Sequence, residues 1–533
     1  EGAAGAGAAA AALQVFAGTI RKSPSDAREY RALTLANGLR VLLASDPEAT
    51  AASAALAVHA GFYLDPAGLP GLAHFCEHML FLGNAKFPQE NSFRSFLTEN
   101  GGSLNAFTEE QDTTYFFEVS PASLEGALLR FASFFKAPLF TASATNREIG
   151  AIEAEDAKNR QSDAFRLNQL SKSFASPAHP QAKFGTGNFE TLSTTPGADK
   201  VSAREALLGF FQQYYDASLM ALTVVGREPL ASLQAWVDSF FGGIVGRGLS
   251  NPTAPWLGVN PYPPVRVAGA AQLVRAVPVA ERRSVAISWP VVFGSEAARM
   301  EWFRLKPHVH VSCVLGHEGE ASLLSVMKRR GLVEGLLAGV SREDDNFAVF
   351  RVNFLLTELG LRRLYEVIDA AFSVIRQLER DGIPPYIFEE NRELREVQWR
   401  FLSKQPSLSV ALGTVGTMQK GVGPESYLSG RLLFEEPNPQ AAETAVAALI
   451  RQLTPERAQY TAVAKEFADT AASKERWYGT QYGLAPIPAS KLREWENPPT
   501  LASWKVPRKN PYVPRDFALR NPQAILGERA GAL

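Results

Sequence analysis

The 533-residue chain has only two cysteines, Cys76 and Cys313. Two are too few for a disulfide framework, so a reducing compartment, the cytoplasm, is the expected setting. No apolar run approaches the roughly 18 residues that crossing a bilayer requires, so no membrane span is expected. Charge of neither sign is in surplus: 54 Lys and Arg stand against 55 Asp and Glu, a formal net charge of -1. That balance leaves no basic surface for nucleic acid and no acidic solvating tail. The opening residues, Glu1 to Leu13, are almost all Ala and Gly and have no basic stretch ahead of an apolar one. They read as the start of a flexible lead-in, taken as residues 1–27, and not as a signal peptide. Histidine is scarce as well, with seven in the chain.

What is present is a globular pattern from about residue 28. Arg40 to Ala44 and Ala52 to His59 read as strands, and Leu72 to Leu82 as a short buried helix. Ser92 to Glu99 reads as a helix stopped by Asn100-Gly101-Gly102, and Thr113 to Val119 as a β-branched, aromatic strand. Ser123 to Phe135 and Ser143 to about Phe174 carry helical spacing. Asn251 to Val265 is rich in proline and marks a boundary, taken as a linker over 251–265. Beyond it the same alternation returns: strands at Val285 to Trp289 and Ala348 to Leu355, helices at Glu320 to Arg330 and Leu361 to Arg380. A second proline-rich stretch, Pro486 to Pro514, reads as an extended tail. The class is α+β with antiparallel pairing, and the echo between the two parts hints at duplication without a residue-level repeat.

The chemistry concentrates at residues 71–83, GLAHFCEHMLFLG. On a helix, His74 and His78 lie one turn apart on one face, where both imidazoles can reach one Zn²⁺. Glu77 is beside them, about 60° around the axis from His74, in the place of a general base and not of a ligand. This H-x-x-E-H order inverts that of the commoner zinc peptidases. Leu72, Phe75, Met79 and Leu82 already supply an apolar face, so packing does not require the histidines. A catalytic zinc site needs a third protein ligand. In Arg147 to Arg160, Glu148 and Glu155 are two turns apart on one face, while Glu153 and Asp156 are on others. Spacing alone does not choose among them, since most charged helix positions are simply solvated. His308, His310 and His317 form a second group with no closing carboxylate, and Cys76 reads as a buried thiol.

HFCEHMLFLG followed by an acidic helix resembles the pitrilysin/insulysin family of inverted-motif zinc metallopeptidases. The segments at 104–108 (LNAFT), 183–188 (KFGTGN), 316–319 (GHEG) and 477–482 (WYGTQY) are similar to that family too. The resemblance implies the amino-terminal half of a two-half chamber. It would comprise two homologous mixed α/β roll domains, each an antiparallel-rich sheet packed by helices: a catalytic domain over 28–250 and a non-catalytic one over 266–500, with the start of an inter-half linker at 501–533. It implies one Zn²⁺ per chain on His74, His78 and Glu155, Glu77 as general base and Glu148 supporting the site. It further implies that Asn105 and Ala106 hold a substrate backbone, that Phe81 and Phe165 line the pocket, and that His317, Gly319 and Gly339 belong to an exosite for a substrate's amino terminus. The expected function is a zinc metalloendopeptidase acting on peptides and small proteins, partnered by a homologous carboxy-terminal half or a second copy of itself. The rival is a catalytically silent, structural chamber half, against which the intact His74, Glu77, His78 and Glu155 set argues.

Overall fold

The computed structural model describes residues 12–198, 201–436 and 438–518. The lead-in through residue 11 and the part of the expected linker beyond residue 518 lie outside the described residues. Two mixed sheets, each packed by helices, organise the chain. The first contains β1 (Gln14–Val15), β2 (Glu29–Thr34), β3 (Arg40–Ser45), β4 (Ala52–Val58), β5 (Ser103–Thr108), β6 (Thr113–Val119) and β7 (Met220–Gly226), in the order β1-β2-β3-β7-β4-β6-β5. The pairing of β3 with β7 is parallel and the others are antiparallel. Gln14 and Val15, inside the segment expected to be a flexible lead-in, pair with β2 at the sheet edge.

The second sheet contains β8 (Arg266–Val267), β9 (Ala270–Ala276), β10 (Ser284–Val292), β11 (Val333–Glu343), β12 (Phe347–Leu356), β13 (Gln459–Val463), β14 (Ser473–Lys474) and β15 (Gln481–Pro486). Its order is β11-β12-β10-β13-β9-β15-β14, with β8 on β9. The run β5-β6-β4-β7-β3 of the first sheet is repeated as β11-β12-β10-β13-β9 in the second, and each ends in a parallel pair. The duplication hinted at by the sequence is therefore one of topology.

Strand β4 shows why the first sheet needs cover on both faces. Every residue of ASAALAV is buried, where a half-solvated strand would alternate. Ala54, Leu56 and Val58 join the core under the helices of the first half, while Ala55 and Ala57 meet Ala411, Val415 and Met418 of the helix Ser407–Met418. The small side chains let that helix approach closely. A segment from far along the chain thus closes the back of the sheet that carries the candidate site.

The tips of the two equivalent hairpins also meet. Gln111, in the β5–β6 turn, donates to Asn346 Oδ1 at 2.7 Å, and its Oε1 accepts from the Asp345 amide at 2.8 Å in the β11–β12 turn. His59 hydrogen-bonds Asp112 at 2.8 Å and Asn251 at 2.9 Å, which ties the start of the proline-rich 251–265 segment into the same knot.

Further elements depart from the sequence reading, the helix expected over Leu361 to Arg380 being divided into Glu358–Arg362 and Leu364–Asp381. The helical stretch expected over 143–174 is two helices, Ala142–Asn159 and Asp163–Ser173, broken at Gln161-Ser162. The stretch expected to be an extended tail contains a helix, Ala489–Glu496, whose Trp495 is buried and donates to Asp369 at 2.6 Å. Burial of one indole outweighs the proline-rich composition around it.

Candidate metal centre

The helix α1 (Leu72–Leu80) starts where Gly71 takes a φ of +93°, a conformation that favours glycine. The buried Asp65 carboxyl, which burial pushes up to about 7, accepts from the Gly71 and Ala73 amides at 2.7 and 2.8 Å, satisfying donors that a helix start leaves free. Leu72, Phe75, Cys76 and Met79 turn into the core. His74 and His78 are left on the opposite side, facing a cleft of about 1140 Å³. Ser92–Glu99 forms α2, whose Arg94 lines the cleft, and Leu124–Phe134 forms α3, which packs against α2. Helix α4 (Ala142–Asn159) is capped by Thr141 and buries Ile149 and Ile152, and α5 (Asp163–Ser173) follows it.

The four carboxylates of α4 are sorted by what they meet. Glu155 Oε2 lies 3.6 Å from His74 Nε2 and 3.8 Å from His78 Nε2. Glu148 Oε2 is 3.3 Å from the other ring nitrogen of His78. Glu153 accepts from the Phe189 amide at 2.7 Å, and Asp156 is buried and paired with Arg160. Donor atoms of His74, His78 and Glu155 lie within 4.8 Å of one another, and among the described residues this is the one such group that could hold a metal ion.

The histidine tautomers are set from behind. His74 Nδ1 is 2.7 Å from the Thr186 carbonyl, so Nδ1 carries the proton and Nε2 presents a lone pair to the group. Thr186 can come this close because Gly187 and Gly71 pack backbone to backbone; a Cβ on Gly71 would lie 2.3 Å from the Gly187 Cα. Tyr478 holds the same loop through Thr186 Oγ1 at 2.8 Å, and Trp477 stacks on Phe184 at 4.4 Å. Two of the segments that carried the family resemblance thus brace the loop behind His74.

Glu77 points into the cleft beside the histidines and accepts from the Thr108 hydroxyl at 2.6 Å. Burial raises its carboxyl above the ordinary range, opposed by the histidines and Thr108. Burial also opposes a proton on His78, but Glu148, Glu155 and Glu77 outweigh it and push the imidazole up to about 9. The hydrogen bond from His78 first, and His74 nearby, hold Glu155 below its usual value. Two imidazoles and one carboxylate, surrounded by further negative charge, are a donor set suited to a divalent cation such as zinc.

Asn105, Ala106, Phe81 and Phe165 all line this cleft. Asn105 and Ala106 are on β5, the edge of the first sheet, and Phe165 on α5 is 45% exposed. His317, Gly319 and Gly339 do not line it. They lie where the loop after Pro307–Leu315 abuts β11, the edge of the second sheet. His308 and His310 are not gathered for a metal: they stack on Trp302 and on Phe434. Cys76 is a buried free thiol. Sequence reasoning missed Asp65, Thr108 and Tyr478 and gave Thr186 no task. Their signal was positional only, since Thr108 and Tyr478 sit inside motifs noted for other residues.

Three family models match. "Insulinase (Peptidase family M16)" covers residues 40–178, "Peptidase M16 inactive domain" covers 202–394, and "Middle or third domain of peptidase_M16" covers 399–529. The insulin-degrading enzyme of Mus musculus is 38% identical over 512 residues, 95% of this chain and 48% of its own length. The A-factor-processing enzyme of Saccharomyces cerevisiae is 35% identical over 496 residues, 93% of this chain and 47% of that protein. The crystal structure of pitrilysin superposes with a TM-score of 0.86 at 29% identity, covering 96% of this chain and 52% of that one. The chain spans about half the length of the curated relatives it matches. With the fold, the cleft and these matches together, the chain belongs to the insulinase/pitrilysin family of peptidases, family M16, and resembles the amino-terminal half of insulin-degrading enzyme.

Proposed function

We propose that the chain is a zinc metalloendopeptidase acting on peptides and small proteins, with residues 28–250 as its catalytic domain and 266–500 as a non-catalytic one, joined through 251–265. The observation that carries this reading is the convergence of His74, His78 and Glu155 in a cleft that also holds a carboxylate outside the donor set, Glu77. His74, His78 and Glu155 would hold one ion per chain, His74 oriented by Thr186 and His78 by Glu148. When bound, zinc supplies Lewis-acid polarisation of the scissile carbonyl and acidifies water. Thr108 occupies Oε2 of Glu77, which leaves Oε1 to take a proton from the attacking water and deliver it to the leaving amine. A peptide extended along β5 at Asn105 and Ala106 adds a strand to the open sheet edge, with Phe81 and Phe165 receiving side chains near the cut. His317, Gly319 and Gly339, away from the cleft, are assigned to anchoring a substrate's amino terminus.

Because the chain spans about half of its relatives' length, we assign it a homologous carboxy-terminal half, or a second copy, as partner closing the chamber, with 501–533 leading toward it. No helix among the described residues is long and apolar enough to cross a membrane. The two free thiols fit a reducing compartment, and we assign the cytoplasm; cell fractionation checks this, and recovery of the chain in sealed organelles overturns it. The functional test pairs metal analysis with hydrolysis of a quenched fluorogenic peptide. About one zinc per chain, with cleavage lost to a chelator and restored by zinc, is expected. A chain that retains no zinc and does not cleave rejects the reading in favour of a silent structural half, and cleavage undiminished without zinc rejects the zinc dependence.

A further inference from the structure

Beside the metal cleft lies a second, smaller cavity of about 240 Å³, walled by α5 on one side and by the open face of the second sheet on the other. The two cavities share Asn168 and Arg342 in their walls, so they adjoin. Three arginines reach the smaller one: Arg282, Arg342 and Arg351.

Their hydrogen bonding differs. Arg342 is occupied: it pairs with Glu110 and donates to Asn168 at 2.7 Å. Arg351 donates from Nε to Ser288 Oγ at 3.0 Å, and its two terminal nitrogens meet no hydrogen-bond or ion-pair partner among the described residues. Arg282 is exposed and makes no side-chain hydrogen bond or ion pair there either. The cavity's one carboxylate, Asp163, is turned to other work, accepting from the Val279 and Ala280 amides at 2.7 and 2.9 Å. The cross-strand row explains why Arg351 stands free. It lies between Ser288 on β10 and Gly339 on β11, and the glycine leaves its flank open. Ser341, Asn168, Tyr262 and Gln459 add polar groups around the rim.

A guanidinium inside a concave wall with both terminal NH₂ groups free is a bidentate donor without an acceptor. Nearby carboxylates do not supply one, so the local charge is positive. We propose that this cavity is an oxyanion subsite, built on Arg351 with Arg282 at its rim, which takes the carboxylate side chain of a peptide lying in the adjoining cleft. The peptide part rests on the peptidase reading; the oxyanion part does not.

The test uses the whole chain and measures binding, so that it does not depend on turnover. Two fluorescent peptides differ only by Glu→Gln at one position scanned along the sequence, and inorganic phosphate is titrated separately. The chain is expected to bind the best-placed acidic peptide about tenfold more tightly than its neutral twin, as one bidentate charge-assisted contact allows. Arg351→Met is expected to erase that ratio and leave the neutral peptide's affinity unchanged, with Arg351→Lys restoring part of it. Arg282→Gln, a change at an exposed position, reduces the ratio if Arg351→Met fails to fold. Phosphate is expected to compete with the acidic peptide and not with the neutral one. Phosphate binding that acidic peptides never displace would assign the cavity to a free anion and overturn the peptide proposal. Equal affinity for both peptides at every position, or an undiminished ratio in the arginine variants, would overturn it entirely. Loss of binding to both peptides alike would instead indict the peptidase reading.

Discussion

Thr108 Oγ1 lies 2.6 Å from Glu77 Oε2, so the Glu77 carboxylate on α1 is tied to β5, the edge strand that borders the cleft. The bond is charge-assisted and partly shielded from water, where such contacts are worth about 1.5–3 kcal/mol. Thr108→Val keeps the β-branched shape and removes the donor. It is expected to lower kcat about tenfold or more with KM and zinc content little changed. Glu77→Gln, which removes the proposed base, is expected to lower kcat by about 10²–10⁴-fold or more while zinc stays at about one per chain. Metal analysis beside steady-state kinetics decides both. Loss of zinc in Glu77→Gln would make Glu77 a ligand and invalidate the assignment.

Glu155 and Glu153 are neighbours on one helix with opposite surroundings. Glu155 faces both imidazoles, whereas Glu153 is spent on the Phe189 amide. Glu155→Gln is expected to weaken zinc retention by orders of magnitude in a chelator competition. Glu153→Gln should retain the metal. Equal retention in the two variants would remove Glu155 from the ligand set.

Three histidines make stability depend on acid. Burial lowers His310 to about 3, helped by Arg395, and lowers His179 and His308 to about 4. His310 is enclosed, with Nδ1 against Asn391 at 3.0 Å and no partner for Nε2 among the described residues. A histidine held neutral in the fold contributes stability that is complete above its unfolded value near 6.5. That contribution is lost as pH falls below 6.5 toward the folded values. Each is expected to remove about 1 kcal/mol between pH 7.5 and 5.5. Urea unfolding of the parent chain at the two pH values gives the net difference, to which His78, raised to about 9, contributes with the opposite sign, and His310→Phe should shift that difference by one such increment. A difference unchanged by His310→Phe would show that His310 is not among the groups responsible.

The chain supplied alone is expected to bind zinc normally and to cleave peptides weakly. Holding reacting groups in register contributes several kcal/mol, and contacts to the developing oxyanion add about 2.7–4 kcal/mol. On the two-half reading, part of that positioning comes from the partner half. Adding a separately produced carboxy-terminal half should raise kcat/KM by orders of magnitude. Full activity of the chain alone, with no gain on addition, would show that a closed chamber is unnecessary.

The histidine pair, the carboxylate between them and most elements could be read from the sequence because each rests on local periodicity. Seven apolar or small residues running through β4 and the 3.6-residue spacing of α1 need no tertiary information. The choice of Glu155 over Glu153 was different. Both are acidic residues on one helix, and only the approach of α1 distinguishes them, so that choice rested on resemblance. Thr108 and Thr186 were invisible for the same reason: each acts across a gap of many residues, through one hydrogen bond that no spacing rule encodes, while Asp65 reaches Gly71 and Ala73 through a local turn whose path the sequence pattern does not specify. The break at Gln161-Ser162 was missed because neither residue is a strong helix stop.

The parallel pairing of β3 with β7 has a consequence for synthesis. Arg40 pairs with Ala221, so about 180 residues must leave the ribosome before the strand that completes the first sheet exists. His74, His78 and Glu155 all fall inside that interval. A nascent chain therefore exposes the whole donor set while β3 and β4, the strands that β7 will separate, still lack it. Pairings this distant in sequence form slowly. On the metallopeptidase reading, metal capture would then be a late step of folding, waiting on a strand that contributes no ligand, and a chain interrupted before Met220 would carry His74, His78 and Glu155 without the completed sheet.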